Sequence, residues 1–191
     1  MLSESALIQG VKKRNRQALE ELHDRFAPVL LRLSIRYCGN RADAEDVLHD
    51  SLIKILSGID KFIERPNNSF EGWMKRITVN TALNFIRDRS RHQKWIEPDA
   101  TASEVEEEET EESLITVAAA IGKEKLMQMI CELPAGYRMV FNMYVFEDFS
   151  HKEIAESLNC SESTSKTQLF KARSILRKKV SEVLNKQIIT Q

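Results

Sequence analysis

The chain has 191 residues, of which 42% are hydrophobic and 30% charged, and its formal net charge at pH 7 is −1. This size supports one or two modest globular domains, and six glycines and four prolines are too few for a turn-rich all-β fold. Three cysteines and four histidines show no metal-ligand spacing, no apolar run reaches membrane-span length, and the N-terminus lacks the order of a signal peptide, so we expect a cytoplasmic protein without cofactors, disulfides or direct membrane insertion.

The near-neutral total charge conceals three regions that differ in charge. Residues 1–96 carry a net charge of +5, residues 97–122 carry −9 without any basic residue, and residues 123–191 carry +3. Long runs of Leu, Ile, Glu, Lys and Arg in the two outer regions favour helices, whereas the acidic region has too few apolar residues to form a core. The predicted fold is therefore all-α, with two small helical domains joined by an acidic flexible linker.

The first domain is predicted to begin with a helix whose ends are recognisable. Asn15 can cap this helix through its side-chain oxygen. Pro28 should kink or restart the helix because proline lacks a backbone N–H. The apolar segment after Pro28 should end at Gly39, since glycine adopts the left-handed conformation of a helix end at little cost.

An acidic helix follows, and Asn40 can cap it. Asp46 and Asp50 are one turn apart on a face away from much of the apolar stripe. Acids near a helix start complement the helix dipole, but this pair would also suit a basic partner. A divalent-metal site is the alternative, weakened by the lack of a second carboxylate cluster in this half of the sequence. Its candidate ligands are Glu45, Asp46, His49 and Asp50.

The next helix carries a polar ribbon along one face. Ser69 can cap the helix, which is predicted to run from Phe70 to about His92. Basic and amide side chains recur every three or four residues, a pattern that suits phosphates and the edges of unpaired bases. The ribbon consists of Arg76, Asn80, Asn84, Arg87 and Arg91. A solvated face is the alternative, and Trp73 is interpreted as a core residue rather than one that stacks on a base.

Near the C-terminus, the pattern indicates a helix-turn-helix motif. Ser150 and Glu153 have the spacing of a capping box at its first helix, and Asn159 is a tolerable left-handed stop at the end of that helix. Ser161 can then cap a second helix that runs to about Val183. Motifs of this kind insert the N-terminal part of their second helix into the major groove of DNA.

The second helix of this motif carries side chains that suit DNA. Thr164, Gln168 and Lys171 fall at i, i+4 and i+7 near its N-terminal end, and Gln can pair with adenine while Thr can meet a base edge. The basic residues suit phosphate contacts, which anchor a protein without reading sequence. These are Lys166, Arg173, Arg177, Lys178 and Lys179. The alternative is a helical hairpin with a solvated basic face.

Two further functions are open at this point. The chain could be a transcriptional regulator whose first domain senses a ligand or dimerises, and whose C-terminal domain binds a palindromic operator. It could also be a metal-dependent nucleic-acid enzyme that uses the acids between Asp43 and Asp50.

Three segments, in this order, resemble parts of the bacterial extracytoplasmic-function sigma factors, the two-domain form of the sigma-70 family. The first, DAEDVLHDSLIKI, resembles the helix that binds core RNA polymerase. The second, FEGWMKRITVNTALNFIRDRSR, resembles the helix that melts promoters and reads the minus-10 element. The third resembles the C-terminal domain that reads the minus-35 element, and its sequence is LPAGYRMVFNMYVFEDFSHKEIAESLNCSESTSKTQLFKARSILRKK.

The resemblance implies a promoter-specificity subunit that has no catalysis of its own and binds core RNA polymerase and promoter DNA. The polymerase contacts that it implies are Asp46, Asp50 and Ile53. The minus-10 contacts to the non-template strand are Asn80, Asn84 and Arg87, and residues 61–69 resemble the loop that captures a flipped-out base. The implied minus-35 contacts are Thr164, Lys166, Gln168, Lys171 and Arg173.

The resemblance also implies a regulatory partner, and the sequence departs from the family pattern at two positions. An anti-sigma factor is implied as a further partner, and the acidic linker would thread toward the RNA exit path. Ser165 stands where many relatives have an apolar residue, and Asn159 stands where a Gly is common. Slightly weaker local packing is therefore expected around the second helix of the motif.

Overall fold

The computed structural model describes residues 1–63, 69–89 and 121–189. The chain divides into two compact units, Met1–Arg89 and Ser90–Gln191. All regular structure in the described residues is helical, which confirms the predicted all-α class with two small helical domains. The predicted linker, residues 97–122, lies outside the described residues except for its last two, so its boundaries stay a prediction.

In residues 1–63 and 69–89, the first unit has four α-helices and one short 3-10 turn. Helices α2, α3 and α4 pack against one another, and α1 packs against α2. In chain order they are α1 (Glu4–Lys12), α2 (Arg16–Cys38), α3 (Arg41–Gly58), the turn Ile59–Lys61 and α4 (Phe70–Arg89). The predicted end of α4 near His92 lies outside the described residues.

The predicted helix ends of this unit are confirmed. Asn15 Oδ1 accepts a hydrogen bond from the Ala18 amide at 3.1 Å, and Asn40 Oδ1 accepts one from the Asp43 amide at 2.9 Å. Gly39 ends α2 in the left-handed conformation, with φ at 80°. Each of these bonds satisfies an amide that the helix itself leaves without a partner.

Pro28 was predicted to kink or restart the helix, and the restart is wrong, because α2 runs without interruption from Arg16 to Cys38. Proline removes one backbone hydrogen bond from a helix interior. The carbonyl that loses its amide partner belongs to Asp24, and both Asp24 and Pro28 are exposed, so water can bond to that oxygen. Apolar positions before and after Pro28, including Phe26 and Leu30, are buried in one core, and this packing holds the two halves of α2 as one helix.

An aromatic cluster closes the core of the first unit where α4 begins. Phe70 is fully buried, with its ring centroid 5.7 Å from that of Phe26 in an edge-on arrangement and 5.3 Å from that of Phe62. The Trp73 ring lies 5.0 Å from Phe62 and 5.9 Å from Phe70. Trp73 is half-buried and packs against this cluster, which favours its interpretation as a core residue.

Helix α1 was not predicted from the sequence, and it packs closely on α2. Leu7, Ile8 and Val11 bring its apolar face into the core. A Cβ atom at Gly10 would lie 2.5 Å from Cβ of Ala18, well inside the sum of van der Waals radii. The two helices approach this closely because Gly10 has no side chain.

Gly10→Ala is therefore expected to destabilise the first unit by about 1 to 3 kcal/mol through overpacking. At an unhindered helix position the same change would stabilise by roughly 1 kcal/mol. Urea unfolding followed by circular dichroism measures the difference. The double variant Gly10→Ala with Ala18→Gly moves the methyl group to the other helix and should recover most of the loss. A more stable Gly10→Ala protein would contradict the close approach.

In residues 121–189, the part of the second unit that the structure describes, four helices are present. In chain order they are α5 (Lys123–Cys131), α6 (Ala135–Val145), α7 (His151–Leu158) and α8 (Glu162–Ile189). Helix α8 packs against the other three. Arg138 is buried at the corner between α5 and α6, where its guanidinium donates to the carbonyl oxygens of Cys131 at 2.8 Å and Leu133 at 2.6 Å.

The helix-turn-helix ends are confirmed, and one boundary is corrected. Ser150 and Glu153 form the predicted capping box, and Asn159 ends α7 in the left-handed conformation. Ser161 Oγ accepts a hydrogen bond from the Thr164 amide at 3.0 Å. Helix α8 extends to Ile189 rather than to about Val183, since no glycine or proline follows to end it.

Candidate nucleic-acid interfaces

The polar ribbon on α4 is solvent-exposed. The side chains of Arg76, Asn80, Asn84 and Arg87 are all exposed, and the Arg87 guanidinium is 3.4 Å from Asn84 Oδ1. The fifth predicted member, Arg91, lies outside the described residues. The four described members therefore form one continuous face of guanidinium and amide groups over three turns of helix.

Other side chains of α4 attach the helix to α3. The Arg89 guanidinium forms an ion pair with the Asp43 carboxylate at the start of α3. Lys54 Nζ, toward the end of α3, donates to Thr81 Oγ1 at 3.2 Å near the middle of α4. The buried side of α4, which includes Met74, is part of the core. The ribbon is thus presented by a helix that is fixed along its length.

The predicted polymerase-binding residues lie on one exposed face of α3. Asp46, Asp50 and Ile53 are exposed, and Ile53 retains 51% of its accessible surface. A single exposed apolar side chain is ordinary on a protein surface, so the contact of this face with polymerase stays a prediction.

The metal site considered for α3 finds no support in the part of the chain that the structure describes. Glu45 forms an ion pair with Arg41 at 2.7 Å, one turn earlier on the same helix. Within residues 1–63, 69–89 and 121–189, no three His, Cys, Asp or Glu side chains come together as a possible ligand set. The three cysteines all lie in the described residues, and none of them forms a disulfide.

The basic residues of α8 differ in exposure. Lys166, Arg177 and Lys178 are exposed, whereas Lys171 and Arg173 are half-buried. Thr164 is also half-buried, and its hydroxyl is 2.8 Å from Ser161 Oγ within the cap of the helix. Lys179 forms an ion pair with Glu132 and lowers the pKa of that carboxyl below its usual value.

The predicted base contact of Gln168 is not supported by its position. Gln168 retains only 6% of its accessible surface, and its Oε1 atom has no hydrogen-bond partner among the described residues. The reason is its place at the edge of the apolar stripe, between fully buried Ser165 one turn before and fully buried Ala172 one turn after. Thr164, Gln168 and Lys171, which have the i, i+4, i+7 spacing, therefore lie along a flank of α8 rather than on its outer face.

Gln168→Leu is expected to raise the unfolding free energy of the second unit by about 1 to 2 kcal/mol, because it removes a buried carbonyl oxygen without a partner and keeps the volume. Thermal or urea unfolding measures the change. Gln168→Ala is the matched control, and it should destabilise because it leaves a cavity. A loss of base preference at a single promoter position in Gln168→Leu would restore the original base-reading prediction.

Phe170 is a candidate interface residue that the sequence reasoning missed. It lies on the outer face of α8, four residues after Lys166 and seven before Arg177, and retains 47% of its accessible surface. The available signal was a large apolar residue immediately next to, but outside, the stripe that contains Leu169. An exposed aromatic ring between basic residues can contact a thymine methyl group while the cations bind phosphates.

Comparisons with known proteins agree with this arrangement. The family model for sigma-70 region 2 matches residues 22–92, and the model for sigma-70 region 4 matches residues 123–176. The ECF RNA polymerase sigma-E factor of Salmonella typhimurium (strain LT2) is 27% identical, over 97% of this chain and 98% of that protein. The RNA polymerase sigma-H factor of Pseudomonas aeruginosa is 26% identical, over 93% and 94% respectively.

Among solved structures, the chain is similar to the sigma factor RpoE of Bartonella quintana, solved in complex with the anti-sigma factor NepR. The TM-score is 0.49 and the identity 18%, over 86% of this chain and 96% of that one.

No helix in the described ranges is both long and apolar enough to cross a membrane.

The two family models match the two helical units in chain order and together cover more than half of the chain. The curated relatives extend over nearly its whole length. The chain therefore belongs to the sigma-70 family of RNA polymerase sigma factors, in its extracytoplasmic-function group.

Proposed function

We propose that this sigma factor binds core RNA polymerase through α3, reads and opens the minus-10 element with α4, and contacts the minus-35 element with α8. The observation that carries the proposal is the separation of two nucleic-acid faces of different chemistry on two units. One face consists of amides and guanidiniums, and the other of cations around an aromatic ring.

The α4 ribbon suits single-stranded DNA. Asn80 and Asn84 each offer an amide with both donors and an acceptor, which can bond to base edges that become free when a duplex opens. Arg76 and Arg87 flank them and suit phosphates of the same strand. The ribbon is accordingly assigned to the non-template strand of the minus-10 element.

Helix α8 suits duplex DNA. As the second helix of a helix-turn-helix motif, it has the geometry to enter the major groove with its N-terminal part. Lys166 and Phe170 are exposed there and can meet a phosphate or base edge and a thymine methyl group. Arg177 lies two turns further on and suits a phosphate outside the groove. An anti-sigma factor remains the further partner that the family implies.

Two assays test the proposal. Core RNA polymerase should be retained on immobilised full-length protein, and the reconstituted holoenzyme should make transcripts that start at defined promoters. Alanine variants of Asn80 and Asn84 should change the base preference at minus-10 positions while promoter-independent polymerase binding is kept. Arg16→Ala removes a guanidinium that is outside α4 and exposed, and it should behave like the unchanged protein. Tight binding to a palindromic duplex without polymerase, together with no promoter-dependent transcript, would replace the proposal by a simple regulator.

Arg177→Ala should weaken binding to all duplex sequences alike, because a phosphate contact carries no sequence information. In a plot of the logarithm of the binding constant against the logarithm of salt concentration, the slope should become shallower by about 0.9, the value for one lost phosphate contact. Fluorescence anisotropy over a salt series measures the slope. Ser181→Ala, one turn further along α8 and also exposed, is the control without a charge change. A sequence-dependent loss would contradict the phosphate assignment.

A further inference from the structure

Three helices of the second unit meet at a stack of side chains. The Tyr144 ring on α6 stacks on the imidazole of His151 at the start of α7, with ring centroids 4.6 Å apart and planes inclined by 24°. Arg173 on α8 has its guanidinium carbon 5.7 Å from the centroid of the same Tyr144 ring. Tyr144 therefore contacts the first helix of the motif and a basic residue of the second helix.

His151 fixes this stack to α8 by a hydrogen bond. Its Nδ1 atom is 2.8 Å from Oγ of Ser165, which is fully buried. Either the ring or the hydroxyl donates, depending on the tautomer of the imidazole. Because Ser165 and Arg173 are about two turns apart on α8, the hydrogen bond and the cation–ring contact attach two points of the helix to one aromatic stack. Slightly weaker packing was expected around this helix because Ser165 stands where many relatives have an apolar residue. In the structure, the Ser165 hydroxyl makes a polar contact with His151 on α7.

We infer that Tyr144 is a positioning residue for Arg173, whose guanidinium it holds ready to meet a DNA phosphate. A guanidinium within about 6 Å of a ring centroid is attracted by the negative face of the ring. An arginine has several rotatable bonds, and a side chain that is oriented before binding loses less conformational freedom when it binds. This inference rests on the proposed contact of α8 with duplex DNA. It adds Tyr144 as a residue that sets the strength of that contact without touching DNA.

Binding of the full-length protein to a fluorescein-labelled, mixed-sequence DNA duplex at low salt tests the inference. Phosphate contacts carry no sequence information, so the promoter sequence is not needed. Tyr144→Leu should weaken binding about threefold to tenfold, the range expected when one long side chain must be ordered during binding. Tyr144→Phe keeps the ring and should bind like the unchanged protein.

The decisive comparison is made in an Arg173→Ala background. There, Tyr144→Leu should have no further effect, because the residue that Tyr144 orients is gone. If Tyr144 only supported the packing of the motif, its replacement would weaken binding equally with and without Arg173. That result would overturn the inference.

A second variant covers the case in which Tyr144→Leu disturbs folding. Trifluorophenylalanine at position 144 keeps the shape of phenylalanine but withdraws electron density from the ring face, so its attraction for a cation falls. Binding should drop toward that of Arg173→Ala, and equal affinities of the fluorinated and unfluorinated variants would overturn the inference. Failure of the unchanged protein to bind the duplex would instead count against the proposed role of α8.

Discussion

Replacing Asp46 and Asp50 together by arginine is expected to reduce the affinity for core RNA polymerase on the order of a hundredfold. Both carboxylates are exposed on the face of α3 that also presents Ile53. The double change removes two attractions and places like charges against a basic partner, which costs several kcal/mol, and each 1.4 kcal/mol corresponds to about tenfold in affinity. Titration of labelled sigma factor with core polymerase measures the loss.

A matched charge reversal separates this surface from the effect of net charge. Glu20 and Asp24 are also one turn apart and exposed, but on α2. The variant with arginine at both positions has the same net charge as the α3 variant and should keep its polymerase affinity. Equal losses in the two variants would show a long-range charge effect and would remove the assignment to α3.

Phe70→Ala is expected to lower the unfolding free energy of the first unit by about 3 to 5 kcal/mol. A buried phenylalanine that is truncated to alanine loses its transfer free energy and leaves a cavity. Phe70 is fully buried, and its contacts with Phe26, Phe62 and Trp73 would all be lost. Since the free energy of unfolding of a domain is about 5 to 15 kcal/mol in total, this single change would remove a large part of the stability of the first unit.

Urea unfolding monitored by circular dichroism and tryptophan fluorescence measures this effect. Trp73 packs beside Phe70, so its emission reports on the same cluster. The control is Phe170→Ala, the same chemical change at a residue with 47% of its surface exposed, and it should shift stability by no more than about 0.5 kcal/mol. A Phe70→Ala protein as stable as Phe170→Ala would show that the cluster does not hold the start of α4.

Features that depend on neighbours in sequence were predictable. The caps at Asn15, Asn40, Ser150 and Ser161 and the left-handed stop at Asn159 depend only on a side chain and the backbone within a few residues. The all-α class followed from composition and helical periodicity for the same reason. Resemblance in three ordered segments then supplied the family.

Features that depend on packing between helices were not predictable in the same way. The continuity of α2 through Pro28 is a consequence of the shared core on both sides of the proline, which no local rule contains. The burial of Gln168 and the exposure of Phe170 depend on the angle at which α8 crosses its neighbours. The spacing of residues defines the faces of a helix but leaves open, at the edge of an apolar stripe, which side chain is covered.

Helix α1 has a practical consequence for work with isolated fragments. The match to sigma-70 region 2 begins at residue 22, but Leu7, Ile8 and Val11 fill the same hydrophobic interior as Leu22. Lys12 and Arg14 also donate to the backbone carbonyl oxygens of Phe62 and Leu56. A polypeptide trimmed to the limits of the family match would expose that interior to water and tend to aggregate, so expression of the amino-terminal unit should start at Met1.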